Sequence, residues 1–139
     1  MTIDHVAIVV KDLEKTLHLY TDILGFTMVY RETIEDQNVE AVGLAAGDSI
    51  VELLRPLSEQ SSIAAFRGDA QTKLHHTAYR VDDLRAELAR LKNAGVRLID
   101  EKPRRGAHGN MIAFLHPTST AGVLIELCQS RYQPAQRKA

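Results

Sequence analysis

Hydrophobic and polar residues follow strand and helix periods in a fixed order along the first part of the chain. Residues 3–10 (IDHVAIVV) are rich in β-branched residues and predict a strand. Asp12 then begins a helix with apolar residues at helical spacing, and Gly25 ends it. Three more strands are predicted at residues 26–32, 39–46 and 49–55. The first module, about residues 1–56, therefore has the order βαβββ.

The same order is repeated after a polar linker at residues 57–73, which contains a short helical pattern around residues 63–67. Residues 74–81 predict a strand, and Asp82 or Asp83 begins an amphipathic helix that ends at Gly95. Strands are then predicted at residues 96–100, 111–116 and 122–128. The second module is about residues 74–128, and residues 129–139 predict a frayed tail. We expect one domain of the α+β class, residues 1–139.

Direct comparison of the two modules indicates a duplication. IDHVAIVVKDL at 3–13 aligns with LHHTAYRVDDL at 74–84 at an offset of 71, and IVELL at 50–54 aligns with LIELC at 124–128 at an offset of 74. In this alignment His5 matches His76, and Glu52 matches Glu126. Neighbouring residues of a strand point to opposite faces. His75, which matches Asp4, is therefore expected to pack or to form hydrogen bonds.

The four matched polar residues lie in strands whose other side chains are mostly apolar. Burying an ionised carboxylate is costly unless something compensates its charge. A divalent metal bound by two imidazoles and two carboxylates would supply that compensation. The alternative is ordinary structural use, with half-buried histidines and glutamates on a solvated face. The pattern alone leaves both open, with the candidate metal ligands being His5, Glu52, His76 and Glu126.

Composition narrows the classes of partner. Lys plus Arg is 17 and Asp plus Glu is 18, a formal net charge of −1, which gives no reason to expect a nucleic acid partner. The one cysteine excludes an internal disulfide and suits a reducing compartment. No apolar run approaches the roughly 20 residues of a membrane helix, and the chain begins with a strand pattern rather than a signal peptide. We expect a soluble cytoplasmic protein without a membrane partner.

Beyond these patterns, the chain resembles the vicinal oxygen chelate superfamily of glyoxalases, extradiol dioxygenases and fosfomycin-resistance proteins. Within that superfamily it most resembles the methylmalonyl-CoA epimerases. The resemblance covers about residues 3–128. The stretches that carry it are 3-IDHVAIVVKDLEK-15, 20-YTDILGF-26, 51-VELLRPLSEQSSIAAF-66, 75-HHTAYRVDDL-84, 103-PRRGAHGN-110 and 114-FLHPTSTAGVLIEL-127.

The resemblance implies a fold, a metal and a reaction. The two modules would form a partly open eight-stranded barrel around one divalent metal ion, with His5, Glu52, His76 and Glu126 as ligands. Cobalt is favoured by the resemblance, while manganese, nickel, iron and zinc suit the same donors. The implied substrate is an acyl-CoA, and the implied assembly is a homodimer. The implied reaction interconverts (2R)- and (2S)-methylmalonyl-CoA by metal-assisted removal of the C2 proton through an enolate.

Epimerisation requires proton transfer on both faces of the substrate carbon. Glu40, on the predicted third strand, is the first candidate base, and Glu126 is the second. Glu35 is a weaker substitute for Glu40. The glycine-punctuated basic loop at residues 102–110 is a candidate substrate site, with Arg104, Gly106 and His108 near the substrate carboxylate, thioester or coenzyme A phosphates. The alternative is that Glu40 and the loop arginines are solvent-exposed side chains without a catalytic or binding role.

Three other functions are compatible with parts of this pattern. A glyoxalase-type isomerase acting on a glutathione adduct would share the four-ligand set. A dioxygenase fits less well, because its facial triad has no fourth protein ligand. A metal-free protein that binds a small molecule would be expected to have apolar or neutral residues at the ligand positions, which this chain does not have.

Overall fold

The computed structural model describes residues 1–130, so most of the predicted tail lies outside the described residues. Eight strands and three α-helices follow in the predicted order, and none of these helices is long and apolar enough to cross a membrane. The elements are β1 (Thr2–Val10), α1 (Leu13–His18), β2 (Thr27–Ile34), β3 (Val39–Ala46), β4 (Ser49–Pro56), α2 (Ser62–Arg67), β5 (Thr72–Arg80), α3 (Leu84–Asn93), β6 (Arg104–Arg105), β7 (Met111–Leu115) and β8 (Ile125–Gln129). The predicted class, α+β with two tandem βαβββ modules, is confirmed.

The chain divides into two compact units that correspond closely to the predicted modules. One unit is Asp4–His76, and the other begins at Thr77 and includes Met1–Ile3. In the first unit the strands lie in the order β2-β3-β4-β1, with β1 parallel to β4 and the other pairs antiparallel. In the second unit the order is β5-β8-β7-β6, with β5 parallel to β8. A single domain formed by both modules remains a prediction.

Helix α1 covers one face of the first unit's strands. The side chain of Asp12 accepts a hydrogen bond from the backbone N–H of Lys15 at 3.0 Å, which confirms the predicted N-cap. After His18 the helix continues as a π-helical turn, Leu19–Ile23. The core beneath it contains Val10, Leu13, Val42, Leu44 and Leu53, all fully or almost fully buried. This packing occupies one face of β1, β3 and β4 and leaves the other face for the polar side chains.

Helix α3 has the equivalent place in the second unit. Asp83 caps it by accepting from the backbone N–H of Ala86 at 3.1 Å. The core there is formed by Leu84, Leu88, Ala113, Leu115 and Leu127. Leu84 and Leu127 are the repeat partners of Leu13 and Leu53, so the duplication extends to the packing of each helix on its strands.

Two predictions for the second module are wrong in detail. The strand predicted at 96–100 is reduced to one isolated bridge between Leu98 and Leu115, and the edge strand is instead the two-residue β6. Residue 129 belongs to β8 rather than to the tail. The side-chain oxygen of Gln129 accepts a hydrogen bond from the backbone N–H of Leu84 at 2.8 Å, which ties the end of β8 to the start of α3.

Candidate metal centre

Three of the predicted ligands meet on the face of the first unit that helix α1 does not cover. The register of β1 against β4 pairs Ala7 with Glu52, so His5 and Glu52 project from the same face. The Nε2 atom of His5 lies 3.1 Å from Nε2 of His76 and 4.0 Å from Oε1 of Glu52. Exposed fractions are 6% for His5, 5% for Glu52 and 4% for His76. The sequence predicted this grouping from repeat-equivalent positions.

The second ring nitrogen of each histidine has a partner on the preceding residue. Nδ1 of His5 lies 2.8 Å from Oδ2 of Asp4, and Nδ1 of His76 lies 2.7 Å from Nδ1 of His75. A carboxylate can only accept, so His5 donates from Nδ1 to Asp4. That tautomer leaves the lone pair of the His5 Nε2 atom directed towards His76 and Glu52.

Burial favours the neutral form of the two histidines of β5. The pKa of His76 is well below its usual value, first because of burial and then because of the nearby His5 and His75. Burial also lowers the pKa of His75. A neutral imidazole retains one lone pair, which a metal ligand requires.

Tyr30 holds one oxygen of the Glu52 carboxylate. The Tyr30 hydroxyl donates to Oε2 of Glu52 at 2.5 Å. Its ring lies over Gly43, where a Cβ atom would come within 2.1 Å of the ring, so only glycine accommodates it. Burial and the adjacent Glu52 charge raise the pKa of Tyr30, which keeps its hydroxyl proton in place. Oε1 of Glu52 is thereby left as the oxygen directed towards His5.

These donors fit a divalent cation. One ligand atom from each of His5, Glu52 and His76 lies within 4.8 Å of the others. Two ligands at about 2.1 Å from a metal and at right angles are about 3 Å apart, close to the separation of the two Nε2 atoms. A set of two imidazoles and one carboxylate, buried and oriented by neighbouring side chains, is typical of a metal site.

Glu126 lies in the second unit, on β8. It is 4% exposed and is paired with Ala78 on one side and Phe114 on the other. Cys128 lies two residues further on the same strand and is fully buried in a small cluster with Ala78 and Ile112. The prediction that Glu126 is a ligand and a second base remains a prediction.

Glu40 is not brought to the three-residue cluster. It pairs with Arg55 across β3 and β4, whereas Glu52 pairs with Gly43, so Glu40 and Glu52 project from opposite faces. The Glu40 carboxylate binds Arg31 at 2.8 Å and Arg55 at 2.9 Å, and Arg31 is the main cause of its lowered pKa. Its suggested substitute Glu35 lies in the exposed turn Glu35–Gln37. Glu40 thus lies on the face opposite the cluster, and its role as a base remains a prediction.

The predicted substrate loop lies in the second unit. Arg104 belongs to β6, where Nε binds Oδ1 of Asp100 at 3.1 Å and the guanidinium lies 5.4 Å from the centre of the Phe114 ring. Gly106 packs against Ile112 so closely that a Cβ atom would lie 2.7 Å from that side chain. His108 is exposed and has a left-handed backbone with φ of 58°. The roles predicted for Arg104, Gly106 and His108 remain predictions.

Sequence reasoning missed the residues that support the ligands. In the sequence, Asp4 stands out only as the match of His75, and the hydrophobic pattern gives no signal for Tyr30. A β-bulge between Met28 and Tyr30 shifts the pairing of β2 with β3, so that Tyr30 faces Gly43 and Glu32 faces Ala41. A bulge leaves little trace in a hydrophobic pattern. The glycine inside the predicted third strand was the one available signal of close approach.

Comparison with known proteins identifies the superfamily. The sequence model of the Glyoxalase/Bleomycin resistance protein/Dioxygenase superfamily matches residues 4–114. The ethylmalonyl-CoA/methylmalonyl-CoA epimerase of Cereibacter sphaeroides is 38% identical over 91% of this chain and 96% of that protein. The crystal structure of methylmalonyl-CoA epimerase from Mycobacterium tuberculosis matches with a TM-score of 0.88 and 38% identity, covering 99% of this chain and 92% of that one.

A further solved structure carries a ligand. It is a variant of Streptomyces coelicolor methylmalonyl-CoA epimerase in complex with 2-nitronate-propionyl-CoA, with a TM-score of 0.88, 34% identity, and coverage of 94% of this chain and 95% of that one. These relatives are more than 30% identical to this chain over nine-tenths of its length, which identifies the family within the superfamily. This chain therefore belongs to the methylmalonyl-CoA epimerase family of the glyoxalase, bleomycin resistance protein and dioxygenase superfamily.

Proposed function

We propose that this protein interconverts (2R)- and (2S)-methylmalonyl-CoA by removing and returning the proton at C2. The observation that supports this most directly is the buried cluster of His5, Glu52 and His76, with donor atoms 3.1 and 4.0 Å apart, in a chain of this family. The C2 proton lies between a thioester and a carboxylate. Its removal places negative charge on the thioester oxygen beside an existing anion, so the site must supply positive charge.

The cluster would hold a divalent cation, which we propose to be cobalt, with manganese, nickel, iron and zinc also suited to these donors. When bound, the cation supplies Lewis acidity that stabilises charge developing on the substrate oxygens. Asp4 and Tyr30 hold His5 and Glu52 in the orientation that presents Nε2 and Oε1. Glu126, equivalent to Glu52 in the repeat, is proposed as the fourth ligand on the basis of sequence.

Glu32 is the carboxylate that we propose as a base in the first unit. The register of β2 places it opposite Ala41, on the same face as Tyr30 and Glu52. Glu32 also contributes to the raised pKa of Tyr30, which indicates its proximity to the Tyr30 hydroxyl. Glu126 remains our proposal for the second base, and Glu40 is assigned an ion-pair role instead.

The acyl-CoA would be bound partly by the loop of the second unit. Gly106 and His108 lie in a tight turn, and Arg104 offers a guanidinium on a side chain that is 42% exposed. These groups suit carboxylate, thioester or phosphate oxygens. We also propose a homodimer, as the family resemblance implies. Support comes from exposed apolar side chains on the first unit, namely Leu19, Ile23, Leu24, Met28 and Val29.

A turnover assay tests the proposal against its closest competitor. The purified protein is loaded with Co²⁺ and supplied either with (2S)-methylmalonyl-CoA or with the glutathione adduct of an α-ketoaldehyde. Conversion of the CoA ester to its epimer, without isomerisation of the adduct, is the expected result. Turnover of the adduct alone would identify a glyoxalase-type isomerase. Binding of either compound without turnover would indicate a binding protein of the same fold.

A further inference from the structure

The contact between His75 and His76 has a counterpart in the first module. Asp4 precedes His5 and contacts its Nδ1 atom at 2.8 Å, and His75 precedes His76 and contacts its Nδ1 atom at 2.7 Å. Asp4 and His75 occupy equivalent positions of the repeat, at the offset of 71 that relates His5 to His76. The duplication has therefore kept a supporting contact while changing the residue that makes it.

We propose that His75 is a positioning residue that accepts a hydrogen bond from Nδ1–H of His76 and so keeps Nε2 of His76 available to the metal. This inference rests on the proposed metal site. It assigns His75 the function that Asp4 has for His5. From the sequence, the side chains of His75 and His76 are expected on opposite faces of the strand. In the structure the two rings instead make an edge-on contact, with centroids 5.0 Å apart.

The direction of this hydrogen bond follows from proton counting. Two Nδ1 atoms at 2.7 Å share one proton, so one ring donates and the other accepts. If His75 donated, the neutral His76 ring would carry its own proton on Nε2 and could not use that atom as a ligand. Metal binding through Nε2 therefore requires His76 to donate and His75 to accept.

The linker between the modules holds the His75 ring in place. Phe66, in helix α2, packs edge-on against His75 with ring centroids 4.8 Å apart. Lys73 secures Phe66 in turn, with Nζ 4.3 Å from the ring centre and 3.1 Å from the Phe66 carbonyl oxygen. Helix α2 thus forms part of the support of the metal site, although no residue of the linker is among its ligands.

Partners of metal-bound histidines affect affinity strongly. Replacing such a partner typically weakens metal binding by about 10–100-fold. His75→Phe keeps an aromatic ring against Phe66 but removes the acceptor. His75→Asp keeps an acceptor and introduces the residue found at the equivalent position of the first module. His18→Phe is the matched control, because His18 is exposed and pairs with the exposed Asp22 four residues further along the chain.

The experiment measures Zn²⁺ affinity by competition with a chromophoric chelator. We expect His75→Phe to raise the dissociation constant by about 10–100-fold, and His75→Asp and His18→Phe to bind as the wild type does. Equal affinity of His75→Phe and wild type would overturn the inference. Weak binding by the wild type itself would instead contradict the proposed metal site. Circular dichroism establishes that each variant is folded.

Nitrogen NMR gives a second test that needs no substitution at His75. In the Zn²⁺-loaded wild type, long-range ¹H–¹⁵N spectra should show His76 protonated on Nδ1 and His75 unprotonated on Nδ1. A proton on Nδ1 of His75 in the loaded protein would overturn the proposed direction. This measurement decides the question even if His75→Phe does not fold.

Discussion

Each donor atom of the cluster is oriented by a side chain that is not itself a predicted ligand. Asp4 holds His5, His75 contacts His76, and Tyr30 holds Glu52. The grouping of His5, Glu52 and His76 could be predicted from the sequence because a repeat places the same residue types twice in apolar strands. Asp4 and Tyr30 could not, because the supporting contacts depend on side-chain direction and strand register rather than on periodicity.

Tyr30→Phe tests the support of Glu52. Removing the hydroxyl leaves Oε2 of a buried carboxylate without this donor, and hydrogen bonds to charged groups contribute about 1.5–3 kcal/mol. We expect the free energy of unfolding to fall by about that amount in urea denaturation. Tyr20→Phe is the control, since Tyr20 packs edge-on against Phe26 in the core of the first unit. Equal stability of the two variants would contradict the role given to Tyr30.

Glu32→Gln tests the proposed base. General acid–base groups contribute about 10²–10⁴-fold to rates, so kcat for epimerisation should fall by a factor in that range. KM and metal affinity should change little, because Glu32 is not a proposed ligand. Glu40→Gln is the matched control on the opposite face and should keep most of its activity. A larger loss of kcat in Glu40→Gln than in Glu32→Gln would restore the original prediction.

At the scale of elements, the β-bulge in β2 determines which side chains face the cluster. Without it, alternation from Met28 would place Tyr30 on the face covered by helix α1. With it, Tyr30 and Glu32 turn towards Glu52, and Arg31 turns towards Glu40. The strands themselves were predicted closely, and β3 at residues 39–46 without error. The strand predicted at 96–100 was wrong because its apolar residues pack against α3 without forming a continuous ladder.

The ion pairs of Glu40 predict a pH dependence for this group of strands. Arg31 and Arg55 lower the folded-state pKa of Glu40, so its contribution to stability is present above the unfolded value of about 4.3 and is lost as the pH falls through the folded value. We expect Glu40→Gln to lower the free energy of unfolding at pH 7 by about 1 kcal/mol.

The difference between wild type and Glu40→Gln should then shrink as the pH falls below about 4. Urea denaturation of both proteins at a series of pH values measures it. A difference that stays constant across the acid range would show that the substitution acts through packing rather than through the ion pairs with Arg31 and Arg55.

At the scale of the whole molecule, duplication explains why so much could be predicted. Each module repeats a helix cap, a helix-facing leucine pair and two polar strand residues at constant offsets. The differences between the copies are equally informative. Asp4 in the first module and His75 in the second each contact Nδ1 of the histidine that follows, although the two residues differ. Proton-transfer groups were harder to predict, since a base needs only the correct face and distance. When a bulge changes the strand register, a sequence pattern reveals neither the face nor the distance.

The most direct test of the proposed reaction is deuterium incorporation at C2. The Co²⁺-loaded protein is incubated with (2S)-methylmalonyl-CoA in D2O, and mass spectrometry follows both the label and the appearance of the (2R) epimer. We predict that deuterium enters C2 as the epimer forms, and that His76→Ala, which removes a proposed ligand, abolishes both. If the folded, metal-loaded wild type showed no exchange and formed no epimer, the proposed reaction would be contradicted.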